Sequence, residues 1–106
     1  VVVSSDYGRL VGFENHSGRT YLQGGLVPLG RVTKGAGNNG EDGTEGAIRK
    51  NVFGTYMHGP GLAKNPQLAD ELISRALVRK YGAADLVHID DSIEHWASKV
   101  ASKRPR

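Results

Sequence analysis

An α/β fold is predicted, built from mixed or antiparallel short strands that are followed by two helices. Two observations carry that prediction. Fourteen of the 15 glycines lie at or before Gly61, in a stretch that also holds most β-branched and aromatic runs. After Pro60 the apolar residues switch to three- and four-residue spacing, the period of a helix with one buried face. No internal repeat or linker divides the chain. Residues 1–106 are therefore expected to belong to a single domain, with strands and loops over 1–61 and helices over 66–81 and 91–103.

The elements follow in order. Val1-Val2-Val3-Ser4-Ser5 is an apolar, strand-like run with no polar lead-in, and an upstream segment is expected before it. Arg9–Phe13, Thr20-Tyr21-Leu22, Arg31-Val32-Thr33 and Asn51–Tyr56 carry residues suited to a pleated, half-buried surface. Between them, His16-Ser17-Gly18, Gln23-Gly24-Gly25 and the run Gly35–Gly46 are rich in glycine and asparagine, which tolerate positive φ in turns. Asn65 is an expected N-cap, Pro66 fits the first helical position, and Gly82 closes the helix. Between them Leu68, Ala69, Leu72, Ile73, Ala76, Leu77 and Tyr81 form one stripe. Asp91 and Glu94 resemble a capping box for a second helix, on which Ile93, Trp96, Ala97 and Val100 share a face. Lys99 and Lys103 suit the negative pole at its end.

Composition narrows the chemistry. The chain has no cysteine, which excludes a disulfide scaffold, a Cys-ligated zinc site and any thiol nucleophile within these residues. No run approaches the roughly 20 apolar residues that a membrane-spanning helix needs. The formal charge of +3 comes from the end: Lys99, Lys103, Arg104 and Arg106 lie in the last eight positions, where no acid stands. A basic tail of that size with almost no aromatic interleaving reads as a solvated end, so no nucleic-acid partner is expected. A binding module with a basic tail is the alternative from outside the enzymes.

Three segments could carry chemistry. Gly35-x-Gly37-x-x-Gly40 matches the dinucleotide fingerprint in form, but Gly43 and Gly46 follow and no helix opens there. Its oxygens are not at calcium-loop spacing either, so a long polar hairpin loop is expected. Gly54-Thr55-Tyr56-Met57-His58-Gly59-Pro60 delivers a histidine at the end of a strand, just before a forced turn. On spacing alone, a proton-transferring His58 and a structural His58 bonded to a loop carbonyl stand equal. Gly12-Phe13-Glu14-Asn15-His16-Ser17-Gly18-Arg19-Thr20 packs five kinds of polar group into one turn. Turn side chains bonding their own backbone are the plain alternative there. His88 and His95 are read as structural.

Taken together, five ordered segments resemble a known family. They are Val11–Thr20, Pro28-Leu29-Gly30, Gly35–Gly46, Lys50–Pro60 and Lys64-Asn65-Pro66-x-Leu68-Ala69-Asp70. The chain resembles the C-terminal half of the cobyric-acid-synthase-like class I glutamine amidotransferases over roughly residues 9–77. Within them it is most similar to the glutaminase small subunits of lipid II isoglutaminyl synthases. The resemblance implies a flavodoxin-like α/β domain of a cytoplasmic bacterial enzyme that hydrolyses L-glutamine. The ammonia passes to a Mur-ligase-like synthetase subunit, which amidates the D-glutamate of the lipid II stem peptide in peptidoglycan synthesis. The ATP is used by that ligase, so no cofactor or metal is expected on this chain. A cobyrinate-type acceptor is the alternative within the family.

The resemblance also assigns residues. His58 stands at the position of the catalytic histidine, which activates a cysteine and then protonates the leaving ammonia. Asn15, His16, Ser17 and Gly18 match the turn that grips the glutamine backbone. Glu14 and Arg19 are as readily explained by pairing with each other or with neighbouring loops. The family's cysteine has no counterpart here, so the chain alone is expected to be inactive and to need an upstream half, or to self-associate. Many class I enzymes place a glutamate two residues after the histidine, where this chain has Pro60. The resemblance implies that the partner ligase supplies that carboxylate in trans.

Overall fold

The computed structural model describes residues 1–104; Arg106, the last of the four tail cations, lies outside the described residues. Strands β1 (Val2–Ser5) and β4 (Gly30–Lys34) are the interior of a four-stranded sheet with β2 (Gly8–Val11) and β5 (Thr44–Glu45) at its edges, in the order β2-β1-β4-β5. Every pairing is antiparallel. The Asp6-Tyr7 turn joins β1 to β2, and Ser5 Oγ donates to the Gly8 carbonyl at 2.7 Å. A register shift between Val2 and Val3 bends β1 where it meets β4.

Two small ladders complete the strands. β3 (Phe13–Glu14) pairs with β8 (Met57–His58), and β6 (Ala47–Arg49) pairs with β7 (Val52–Gly54). The predicted strand over Asn51–Tyr56 thus ends at Gly54, and beyond it the Tyr56 N–H turns to the Glu45 carboxylate. Thr20-Tyr21-Leu22 forms no strand. Thr20 spends its N–H on the Asn38 carbonyl at 2.7 Å and its hydroxyl on Tyr56, which leaves no ladder to build. Most of the Gly35–Gly46 run, residues 35–43, is a hairpin connection between β4 and β5, as its composition predicts, while Thr44-Glu45 within it form β5 itself.

Helix α2 (Pro66–Tyr81) has proline in its first turn and ends on Gly82 at φ +78°, the left-handed conformation glycine adopts without strain. A one-turn α1 (Gly61–Lys64), absent from the sequence reading, precedes it. Asn65 is not a side-chain cap. Its backbone carbonyl receives Leu68 N–H at 2.9 Å, while its side chain leaves the helix altogether for β2 and the Gly61 carbonyl.

The core is compact: Val1, Val3, Leu10, Leu29 and Leu68 are buried together, with Tyr7, Val32, Ile48, Phe53 and Met57 packed against them. Leu68 is the apolar side chain by which α2 enters this core. Farther along the same stripe Ile73 and Tyr81 are exposed. Arg75 holds the middle of α2 instead. It bonds Glu71 at 2.8 Å, the Lys50 carbonyl at 2.9 Å and the Tyr7 hydroxyl at 3.1 Å, and lies over the Phe53 ring.

Helix α3 (Ser92–Ser102) departs from expectation in two ways. The Asp91–Glu94 box does not form; Asp90 takes the Ser92 N–H at 3.0 Å in its place. The apolar face is turned outward, with Ile93 76% and Trp96 68% exposed, while Ser102 is buried. At the other end of α3, Lys34 of β4 donates to the Ser102 carbonyl at 3.1 Å and to that of Arg104. A cation on the last carbonyls of a helix is favourable, and here it comes from the sheet and not from Lys99 or Lys103.

Candidate active site

The β3–β8 ladder places His58 directly opposite Phe13, with the ring centroids 5.9 Å apart. Gly12 makes the close approach possible: a Cβ there would sit 2.7 Å from that of Met57. Gly59, at φ +92°, and Pro60 then turn the chain away and leave the imidazole exposed. His58 Nδ1 lies 2.6 Å from the Tyr56 carbonyl oxygen. A carbonyl can only accept, so Nδ1 carries the proton and the neutral ring keeps its lone pair on Nε2. The structural bond that spacing left open is made, at Nδ1. A structural bond at Nδ1 presents a free base at Nε2.

The turn after β3 lies beside it. His16 stacks on the Tyr56 ring at 3.8 Å and 8°, and its Nδ1 meets the Gly18 carbonyl at 2.9 Å. His16, Ser17, Gly18 and Arg19 form one wall of a cleft of about 290 Å³, opposite the Ala36–Gly40 stretch. Asn15 is exposed and does not line that cleft, nor does His58. Tyr56 connects the two predicted sites: its ring carries His16 and its carbonyl holds His58.

Glu14 and Arg19 both pair with the neighbouring loop. The Glu14 carboxylate accepts from Ala36 N–H at 3.0 Å and Gly37 N–H at 2.5 Å. The amides of the glycine run thus cradle an anion, and the anion is the protein's own. Gly37 is required there, since it sits at φ +72° and a Cβ would lie 2.2 Å from the Thr44 carbonyl oxygen. Arg19 meets Glu41 at 3.2 Å, an exposed pair of the kind that contributes about 0–1 kcal/mol.

The hairpin loop and β5 hold a set of buried polar groups: Asn38, Asn39, Thr44 and Glu45. Asn38 donates to Thr44 Oγ1 and the Gly46 carbonyl and accepts from Gly46 N–H. Asn39 accepts from the N–H groups of Glu41 and Asp42 and donates to the Thr20 carbonyl. The Thr44 hydroxyl holds the Asp42 carboxyl below the usual carboxylate range, with Asn39 assisting. Glu45, with no exposed surface, accepts from the Thr55 hydroxyl at 2.9 Å and Tyr56 N–H at 2.7 Å.

Burial pushes the Glu45 carboxyl up, against the opposing pull of the bonds from Tyr56 and Thr55. A raised folded-state value means that the folded protein binds this proton more tightly than the unfolded chain does. The cost of burying the charge is therefore present at neutral pH. It is relieved as pH falls through the raised value, completely so below the ordinary carboxylate value. Urea denaturation across pH 7 to pH 4 should show wild type gaining stability relative to Glu45→Gln as pH falls. A difference that stayed flat, or moved the other way, would contradict this assignment.

Residues 2–66 match the CobB/CobQ-like glutamine amidotransferase domain, more than half of the chain. The chain belongs to that family. It is 47% identical over 105 residues to the lipid II isoglutaminyl synthase (glutamine-hydrolyzing) subunit GatD of Staphylococcus aureus. That alignment takes in 98% of this chain and 42% of the relative. Against the subunit of the same name from Streptococcus pneumoniae the identity is 55% over 71 residues, 67% of this chain and 27% of that one. A probable cobyric acid synthase of Methanothermobacter thermautotrophicus is 50% identical over 48 residues, 45% of this chain and 9% of that protein. The chain thus spans less than half the length of the curated relatives it matches.

The family span contains His58, the 15–18 turn, the amide cradle of Glu14 and the buried Glu45, while α3 lies beyond it. Among the described residues no three His, Asp or Glu side chains gather as a metal site, and no helix is long and apolar enough to cross a membrane. Sequence reasoning passed over Glu45, Thr55, Tyr56 and Asn65 as site-building residues. Glu45 lies in a run of loop-type polar residues, and nothing in its spacing marks it as the fully buried one.

Proposed function

We propose that this chain is the histidine-bearing part of the glutaminase subunit of a lipid II isoglutaminyl synthase. In this reading, residues 1–106 belong to one flavodoxin-like domain, as its C-terminal portion. The domain works with a Mur-ligase-like, ATP-using synthetase in the bacterial cytoplasm. The observation that carries the reading is His58. It is exposed at the end of a strand, with Nδ1–H committed to the Tyr56 carbonyl and Nε2 free, one residue-pair away from a polar turn and cleft.

In the proposed reaction, His58 Nε2 takes the proton of a cysteine thiol supplied from outside these 106 residues. The thiolate attacks the side-chain carbonyl carbon of L-glutamine. As the C–N bond breaks, Nε2–H returns its proton to the departing nitrogen, releasing ammonia and leaving a thioester. Nε2 then accepts a proton from the water that hydrolyses that thioester to glutamate. Asn15, His16, Ser17 and Gly18 hold the glutamine backbone groups; the position of three of them on the cleft wall supports this. A cobyrinate-type acceptor is the second reading, favoured by the match to a cobyric acid synthase.

The test is transfer of label. A subunit of full family length, combined with its synthetase and ATP, is given glutamine carrying ¹⁵N in the side-chain amide. The label should appear in the amide of the lipid II D-glutamate. Label that reached a cobyrinate carboxyl instead would select the second reading. Label left in intact glutamine would overturn both.

A further inference from the structure

Residues 15–20 belong to no helix or strand, so no ladder sets the shape of that turn. A single side chain reaches both ends of it. The Tyr56 ring lies against the His16 ring, 3.8 Å between centroids and 8° from parallel. Its hydroxyl meets Thr20 Oγ1 at 2.8 Å. Gly18 lies between those two contacts, and a Cβ there would stand 3.4 Å from the Tyr56 hydroxyl. Thr20 is also tied to the hairpin loop that forms the opposite wall of the cleft. Its N–H donates to the Asn38 carbonyl at 2.7 Å, and its carbonyl accepts from Asn39 Nδ2 at 2.9 Å.

The main chain of Tyr56 is anchored separately. Its N–H donates to Glu45 at 2.7 Å, and its carbonyl accepts from His58 Nδ1 at 2.6 Å. Main chain and side chain of one residue therefore serve different parts of the site, and a substitution changes only the side chain's share.

We propose that Tyr56 is a positioning residue for substrate binding: its ring and hydroxyl hold residues 16–20 in the shape that lines the cleft. The Tyr56 side chain does not line the cleft itself and touches no reacting atom. It acts through His16 and Thr20. The kinetic consequence rests on the glutaminase reading, in which this turn holds the glutamine backbone, but the latch between Tyr56 and the turn does not.

The test uses a full-length subunit that carries the nucleophile, with its synthetase. Tyr56→Phe keeps the stack and removes the hydroxyl. It should raise KM for glutamine by about 2–10-fold, the usual worth of one neutral hydrogen bond, with kcat held. Thr20→Val removes the same bond from the other side and should give the same rise, which Thr20→Ser should abolish. The double variant Tyr56→Phe/Thr20→Val should rise no further than either single one, because both remove one interaction. Tyr56→Leu also loses the stack and should add a further rise of about 2–10-fold. In proton NMR spectra the His16 ring protons should lie upfield under the Tyr56 ring, stay there in Tyr56→Phe and move downfield in Tyr56→Leu.

A fall in kcat with KM held, in either single variant, overturns the positioning role. So do KM rises that multiply in the double variant, or a Thr20→Val effect that Thr20→Ser fails to abolish, since both mark independent packing losses. His16 protons without an upfield shift in wild type overturn the latch. If Tyr56→Leu does not fold, Tyr56→Phe and the Thr20 variants decide the matter. Absence of glutamine turnover in the wild-type subunit would sink the glutaminase reading and the kinetic role with it, and the His16 spectra would then decide the latch alone.

Discussion

Replacing His58 with alanine, in a full-length subunit that carries the nucleophile, is expected to slow glutamine hydrolysis by about 10²–10⁴-fold, the usual contribution of a general acid–base group. The size follows from what the ring does. Without Nε2 the thiol keeps its proton, and the departing nitrogen leaves without receiving one. The loss should fall on kcat, because the proposed glutamine contacts lie in the 15–18 turn and not on His58. Folding should be nearly unaffected. The side chain is exposed, and its one hydrogen bond ends on a carbonyl that water can satisfy. Equal circular dichroism spectra and equal denaturation midpoints would check that point. Turnover within a few-fold of wild type would show that His58 is a structural histidine after all.

Asn65→Leu is expected to cost about 2–4 kcal/mol of stability, the largest loss foreseen for any single side chain here. Asn65 is 1% exposed and pairs with both backbone groups of Val11, accepting from its N–H at 2.8 Å and donating to its carbonyl at 2.9 Å. It also donates to the Gly61 carbonyl at 2.7 Å. The side chain thus behaves as one more residue of sheet beside β2, delivered from the start of α2. Leucine fills the space but leaves those backbone groups buried and unpaired, at about 1–3 kcal/mol each before relaxation. Against a typical total of about 5–15 kcal/mol, that is a large share. Asn65→Asp serves as the second variant. It keeps the acceptor for Val11 N–H but sets an oxygen against two carbonyls, so it should also destabilise. Urea midpoints within about 0.5 kcal/mol of wild type for both would refute the staple.

Much of the fold could be read along the chain because it depends on neighbours in sequence. Pro66 and Gly82 mark the ends of α2 through their own φ preferences, and the three- and four-residue spacing gives its length. The β4–β5 hairpin loop was legible from its glycine and asparagine content. Burial was less so. Ile93, Trp96 and Val100 share a face as their spacing requires, yet spacing does not say which way a helix faces, and this one presents that side to solvent. Asn65 has the composition of an N-cap, but its amide found a better use 54 residues away.

The sequence by itself determined the family, the placing of His58 at a strand end, and the change from strands to helices after Pro60. Those features are written in short-range patterns, in residue type and in backbone preference. Only the tertiary structure decided which acid serves which partner. Glu14 accepts from the amides of the glycine run, Glu41 meets Arg19, and Glu45 sinks beneath Tyr56 and accepts from Thr55 and Tyr56. The reason is physical. A buried carboxylate must be satisfied by whatever donors the folded chain brings to it, and those donors lie 10 to 23 positions away along the sequence.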